Sequence, residues 1–270
     1  MLTKTKEFIQ RDNDIYFIQT ISDKIIINDN YVGILILDNN LNIIRKLRIF
    51  EGIIVYNSFV NSVNEEVLLF CPDNECMVYV NLINYEYKVI YIKNELQSLI
   101  FSNIYEWNEN GLVLTTYKGE FYNICINGKS IHKIDYKDAI KMYAKLYKIF
   151  QESKKHKVFK VFSNENIVIM DYDESNISIF NYKDKTKRIL NSVTLDFIDI
   201  NYRQGILTLV NENKVEIITN NDKSIIYPEE DYIFLQVRII RKLNRFFLIV
   251  LSSSKSSASF SRVEMFQLYY

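Results

Sequence analysis

The sequence predicts an all-β fold: a single six-bladed β-propeller over residues 1–270, closed by its N-terminal strand and carrying one inserted amphipathic helix. Three observations predict it. Apolar segments are short, rich in β-branched and aromatic residues, and broken by Asn, Asp, Glu or Gly about every eight to twelve residues. They recur at intervals of roughly 40 residues, the length of a four-stranded blade. The last repeat is one strand short, whereas Leu2–Ile9 is a spare strand at the other end of the chain. Pairing the two ends removes the exposed ladder edges of an open array. A pair of β-sandwiches is the competing arrangement of the same strands.

In chain order, the first unit covers 15–49 around the run Lys24-Ile-Ile-Ile27. The second takes strands 53–60, 66–70, 77–82 and 86–93, and the third 99–107, 111–117, 120–126 and 129–136. The fourth spans about 156–190, the fifth 194–227, and the sixth, 232–270, has three strands of its own. Asn127-Gly128 suits a type I′ hairpin, whose two central residues need positive φ; Lys183-Asp184 and Asn220-Asn221 hold the equivalent place in later units. Ser252–Ser261 reads as a low-complexity, mobile loop between the last two strands.

One segment breaks the period. Residues 138–155, between the third and fourth units, read as a helical insertion: Lys141, Lys145 and Lys148 follow helical spacing, and Ile140, Tyr143, Ala144, Tyr147 and Phe150 form an apolar stripe. Asp138 is the expected N-cap, and Lys154, Lys155, His156 and Lys157 place positive charge at the C-terminal end, where the helix dipole favours it.

In repeat length and blade pattern the chain resembles WD40-like β-propellers along its whole length. It lacks their Gly-His and Trp-Asp dipeptides, since the lone Trp107 is followed by Asn108. The resemblance is architectural, and it implies an interaction platform.

Composition bounds the function. With 48% hydrophobic residues, 24% charged and three cysteines, the chain has ample apolar surface for a core and is neither disordered nor a disulfide scaffold. Lys+Arg and Asp+Glu are equal at 33, which excludes a uniformly basic nucleic-acid binder. Sorted by blade, however, acidic residues such as Asp29, Glu51, Asp73, Glu229 and Asp231 gather on the B–C and D–A connections. Basic residues such as Lys4, Lys6, Arg45, Lys46, Arg48, Lys133 and Lys187 gather on outer strands, as phosphate binders or as protectors of strand edges. Residues 1–10 hold no secretory leader and no run reaches about 18 apolar residues, so a soluble, cytoplasmic protein without membrane contact is expected.

No phosphate-cradling Gly loop, nucleophile elbow or paired-His metal motif occurs. His132 and His156 have no nucleophile expected beside them. Cys71 and Cys76 read as reduced thiols flanking a hairpin, close enough for an adventitious disulfide rather than spaced for zinc. Asp14, Asn28, Asp171 and Asp231 offer hard oxygen ligands for a calcium-dependent hydrolase, the least favoured reading. The function expected is a non-catalytic scaffold or subunit of an intracellular complex that mediates protein–protein interaction, with no cofactor, metal or small-molecule substrate. Partner contact is expected from Lys141, Lys145, Tyr147, Lys148, Phe150, Lys154, Lys155 and Lys157. The alternative is a ribosome- or RNA-associated factor using the basic outer strands and this Lys-rich insertion.

Overall fold

A computed structural model describes residues 2–11, 13–91, 101–108, 111–116, 120–126, 130–135, 137–138, 157–163, 166–171, 174–181, 186–191, 193, 195–220, 222–257 and 260–269. Among them are six four-stranded antiparallel sheets, each a blade. Blade 1 is β2 (Ile18–Ile21), β3 (Lys24–Asp29), β4 (Gly33–Asp38) and β5 (Ile43–Arg48). Blade 2 is β6 (Asn57–Asn61), β7 (Glu66–Cys71), β8 (Cys76–Asn81) and β9 (Tyr87–Tyr91). Blade 3 is β10 (Phe101–Asn108), β11 (Gly111–Thr116), β12 (Phe121–Cys125) and β13 (Ser130–Lys133). Blade 4 is β14 (Lys157–Ser163), β15 (Asn166–Asp171), β16 (Asn176–Asn181) and β17 (Thr186–Leu190). Blade 5 is β18 (Asp199–Arg203), β19 (Ile206–Asn211), β20 (Lys214–Ile218) and β21 (Lys223–Ile226).

Blade 6 joins the two ends of the chain in the order β1-β24-β23-β22, with β1 Leu2–Arg11, β22 Tyr232–Lys242, β23 Arg245–Ser254 and β24 Phe260–Leu268. Its register runs from Leu2 opposite Leu268 to Arg11 opposite Phe260. The expected closure by Leu2–Ile9 is therefore present, and it extends two residues further.

By contacts the chain divides into two compact units. The first comprises Met1–Val67, Val80–Tyr87 and Asp196–Tyr270; the second comprises Leu68–Tyr79 and Lys88–Leu195. In the first unit β22 packs against β18 on one side and β2 on the other. The run Phe246-Phe-Leu-Ile-Val-Leu251 explains how. Leu248 and Val250 pack with Val210, Val215 and Ile217 of blade 5, while Ile249 and Leu251 pack with Ile25, Ile27 and Leu35 of blade 1. Alternate residues of a strand point to opposite faces, so a strand covered on both faces must be apolar throughout. At about 25 cal/mol per Å2, burying such side chains is the main favourable contribution to folding. In the second unit β10 lies beside β14.

Two expectations are corrected. No inserted helix is found among the described residues, where the one complete helical element is the 3-10 turn Pro72–Asn74. Of the expected insertion only Asp138 is described; it and the preceding Lys137 have helical backbone, and 139–156 lie outside the described residues. Amphipathic spacing is compatible with a helix but does not require one to form. Second, Ser252–Ser261 is not one loop. β23 continues to Ser254, β24 begins at Phe260, and Ser252, Ser253 and Ser261 are buried in the ladder. Serine composition suggested a loop, but the hydroxyls have partners: Ser252 Oγ donates to Glu264 at 2.9 Å, and Ser261 Oγ accepts the Ile15 N–H at 3.1 Å.

Candidate functional site

The expected partner residues Lys141, Lys145, Tyr147, Lys148, Phe150, Lys154 and Lys155 lie outside the described residues. Lys157 opens β14 with Asp171 as its ladder partner.

A different surface is built at the start of blade 1. Asn28 is its organiser: Oδ1 accepts the Tyr16 and Phe17 N–H groups at 2.9 and 3.0 Å, and Nδ2 donates to Asp14 O at 2.6 Å and Asn30 O at 3.1 Å. Asn30 adopts positive φ, which Asn tolerates better than most residues, and its Oδ1 accepts the Asp14 N–H. The segment 13–17 is thereby fixed against the β3–β4 turn. Tyr16 stacks on Tyr31 with ring centroids 5.8 Å apart, and Tyr31 Oη donates to Asp14 Oδ2 at 2.6 Å. That hydrogen bond, helped by partial burial, raises the Tyr31 pKa above its ordinary 10.0 and keeps the phenol protonated.

The Tyr16 hydroxyl also accepts the Val55 N–H at 3.1 Å, and the Ile53 N–H donates to Tyr31 O at 3.0 Å. The connection from blade 1 to blade 2 is thus held extended, with Ile53 and Val55 buried and Ile54 and Tyr56 outward. Tyr31, Ile54 and Tyr56, at 42%, 38% and 58% exposure, form an apolar and aromatic surface with Asp14 at Tyr31, while the nearby Glu51 lies 4.0 Å from Arg48. Sequence reasoning placed acids on these connections but missed the aromatics. The available signal was Tyr31 on the β3–β4 turn, where a side chain of that size has no core to fill; Tyr56 was hidden because it fell within the expected strand 53–60.

The basic outer strands are largely engaged by the protein itself. Lys46 pairs with Asp29 at 2.6 Å, Arg45 lies over the Tyr85 ring, Lys133 pairs with Glu120 at 2.6 Å, and Lys187 lies over Phe180. Lys4 belongs to a cluster that fastens the closing strand. It contacts Glu7 at 2.6 Å and Glu264 at 2.7 Å, while Arg262 donates to Glu229 at 2.8 Å and covers the Tyr232 ring at 3.7 Å. Arg262 Nε lies 3.3 Å from Glu264 Oε2 as an ion pair without hydrogen-bond geometry. Burial works against the Lys4 charge, but hydrogen bonds to Glu264 and Glu7 outweigh it and raise its pKa. The Arg262 hydrogen bond holds Glu229 below its usual carboxylate value.

Two of the oxygen ligands considered for calcium are occupied otherwise: both polar atoms of the Asn28 side chain are spent on backbone groups, and Asp14 holds Tyr31. Among the described residues no group of three or more His, Cys, Asp or Glu is arranged to hold a metal. His132 sits exposed on β13 opposite Asn123. Cys71 and Cys76 are free and buried, and their thiols meet across the Pro72–Asn74 turn. The hydrogen bond between them, together with burial, holds the Cys71 thiol far above the usual range.

Solved structures align along nearly the whole chain. The β-propeller domain of Cps50 (Swd1) from Myceliophteria thermophila aligns over 98% of this chain and 100% of its own, with TM-score 0.57 and 8% identity. BamB from Moraxella catarrhalis aligns over 99% and 100%, with TM-score 0.53 and 10% identity. The fold is a six-bladed β-propeller. Its resemblance to WD40-type propellers is one of architecture, because such low identity carries fold and nothing further. No family model and no curated protein sequence matches the chain.

Proposed function

We propose that this propeller is a non-catalytic scaffold that binds a protein partner within a macromolecular complex. The observation that carries the reading is the exposed Tyr31–Ile54–Tyr56 surface with its acidic neighbours, held rigid by the Asn28 and Tyr16 hydrogen bonds. Tyr is a preferred anchor at interfaces because it buries a large area at low entropy cost, and preorganisation lowers the cost of binding further. Asp14 and Glu51 favour a partner segment with positive charge. The connecting segment remains part of the proposal: Lys141, Lys145, Lys148, Lys154, Lys155 and Lys157, with Tyr147 and Phe150, supply a second contact of opposite sign. A cytoplasmic location belongs to the same reading.

Ribosome or RNA contact is the competing outcome. It draws on the basic outer strands, but Arg45, Lys46, Lys133 and Lys187 already have acidic or aromatic partners within the chain, which argues against it. Quantitative affinity purification tests the two. Tyr31→Ala combined with Tyr56→Ala should lose most of the partner that the wild type retains, with no release by ribonuclease. Undiminished retention by that variant and by one with Lys154, Lys155 and Lys157 neutralised overturns the proposal. Release by ribonuclease with steep salt dependence assigns the protein to RNA instead.

A further inference from the structure

Lys6 on β1 and Lys242 at the end of β22 come from opposite ends of the chain, yet both ammonium groups donate to one neutral oxygen, Asn40 Oδ1, at 2.7 and 3.1 Å. Asn40 lies in the β4–β5 turn of blade 1. Arg245, the ladder partner of Lys242, lines the same cavity of about 420 Å3. Among the described residues no carboxylate lies within ion-pair distance of Lys6, Lys242 or Arg245, whereas Lys4, Lys24, Lys46 and Arg238 all have one. Asp38 feels the Lys6 charge, but its carboxylate is taken up by the Asn40 and Asn42 N–H groups at 2.7 and 2.8 Å and by Asn42 Nδ2 at 3.0 Å.

The cavity is therefore a concentration of positive charge with no carboxylate at ion-pair distance, Asp38 acting on Lys6 only from farther away. The rest of its lining combines apolar Leu243, Phe247 and the buried Met265 with the polar Thr5, Asn39 and the buried Gln267. Two ammonium groups and a guanidinium suit the oxygens of a dianionic phosphate, which accepts charge-assisted hydrogen bonds from several donors at once. The apolar walls suit an organic body attached to that phosphate, and the volume falls within the roughly 300–1,000 Å3 of small-molecule sites.

We infer that this cavity between the β4–β5 and β22–β23 hairpins is a binding site for a small phosphate monoester with an apolar or planar body. Lys6, Lys242 and Arg245 hold the phosphate, and Phe247 and Met265 contact the body. On binding, the two ammonium groups exchange the single Asn40 oxygen for phosphate oxygens. The inference is independent of the partner surface, which is built on the β3–β4 turn and the blade 1–2 connection.

Calorimetric titration of the full chain at low ionic strength with phenyl phosphate, inorganic phosphate and phenol tests it. Phenyl phosphate should bind most tightly, inorganic phosphate more weakly, and phenol not measurably. Lys6→Gln combined with Lys242→Gln should weaken phenyl phosphate binding about tenfold or more, while Lys88→Gln on β9 leaves it unchanged. An unchanged melting temperature without ligand shows that the double variant is folded, and Arg245→Gln provides a second variant should it not be. Absence of phenyl phosphate binding, or binding that neither variant weakens, overturns the site. Equal affinity for phenyl phosphate and inorganic phosphate overturns the assignment of a monoester with an organic body.

Discussion

Arg262 shows how much a single side chain can hold. It is 4% exposed, lies over Tyr232, and faces Glu229, Glu264 and Glu7, so it joins β24, β1 and the start of β22. Removing one partner from a buried charge cluster leaves the others uncompensated. Arg262→Ala should therefore cost about 3 kcal/mol of stability, measured by urea denaturation. The same cluster sets a pH dependence. Glu229 has its folded pKa depressed below the ordinary 4.5, chiefly by the Arg262 hydrogen bond, and Glu216 is lowered too, where hydrogen bonds from Lys214 and Lys223 overcome burial. A depressed carboxylate stabilises the fold above its unfolded pKa and loses that contribution as pH falls through the folded one. The melting temperature should fall progressively below about pH 4.5, and Glu216→Gln should flatten that fall.

At the scale of the element, β1 is the strand whose presence the sequence announced and whose removal is most informative. Its edge pairing with β24 satisfies a ladder that would otherwise be open. Deletion of residues 2–9 should lower the melting temperature and produce concentration-dependent association, seen by size-exclusion chromatography. Gly33, the first residue of β4, is needed for close approach: a Cβ there would sit 2.0 Å from Leu47 O. Gly33→Ala should disrupt the β4–β5 pairing and destabilise blade 1 by about 1–3 kcal/mol, measured by the same denaturation. Strand existence was legible because each blade repeats an apolar run bounded by turn residues. The helix expected over 138–155 was not a sound reading, since a 3.6-residue spacing does not show what the stripe packs against. The serine run misled in the opposite direction, because composition does not reveal a buried partner such as Glu264.

For the molecule as a whole, neutral net charge conceals local differences with distinct consequences. Arg45, Lys46, Lys133 and Lys187 on the outer strands are engaged internally, whereas Lys6, Lys242 and Arg245 share a cavity with no carboxylate at ion-pair distance. Partner binding by an aromatic surface with acidic neighbours should weaken only modestly between about 50 and 200 mM salt, unlike a nucleic-acid complex, in which several phosphate contacts cost orders of magnitude. A salt titration of the purified complex measures this directly.

The sequence by itself determined the six-blade repeat, the strand positions and the closure of the sixth blade by the N-terminus. These depend on hydrophobic periodicity and turn chemistry, which are local properties of the chain. The tertiary structure alone decided which side chains meet. Tyr16, Tyr31 and Tyr56 become one surface because Asn28 and a tyrosine hydroxyl fix two connections together, and Lys6 reaches Lys242 because the chain ends share a sheet. Such meetings join residues far apart in the chain, 236 positions for Lys6 and Lys242 and 260 for Lys4 and Glu264. No local pattern encodes them, since they depend on how whole blades pack.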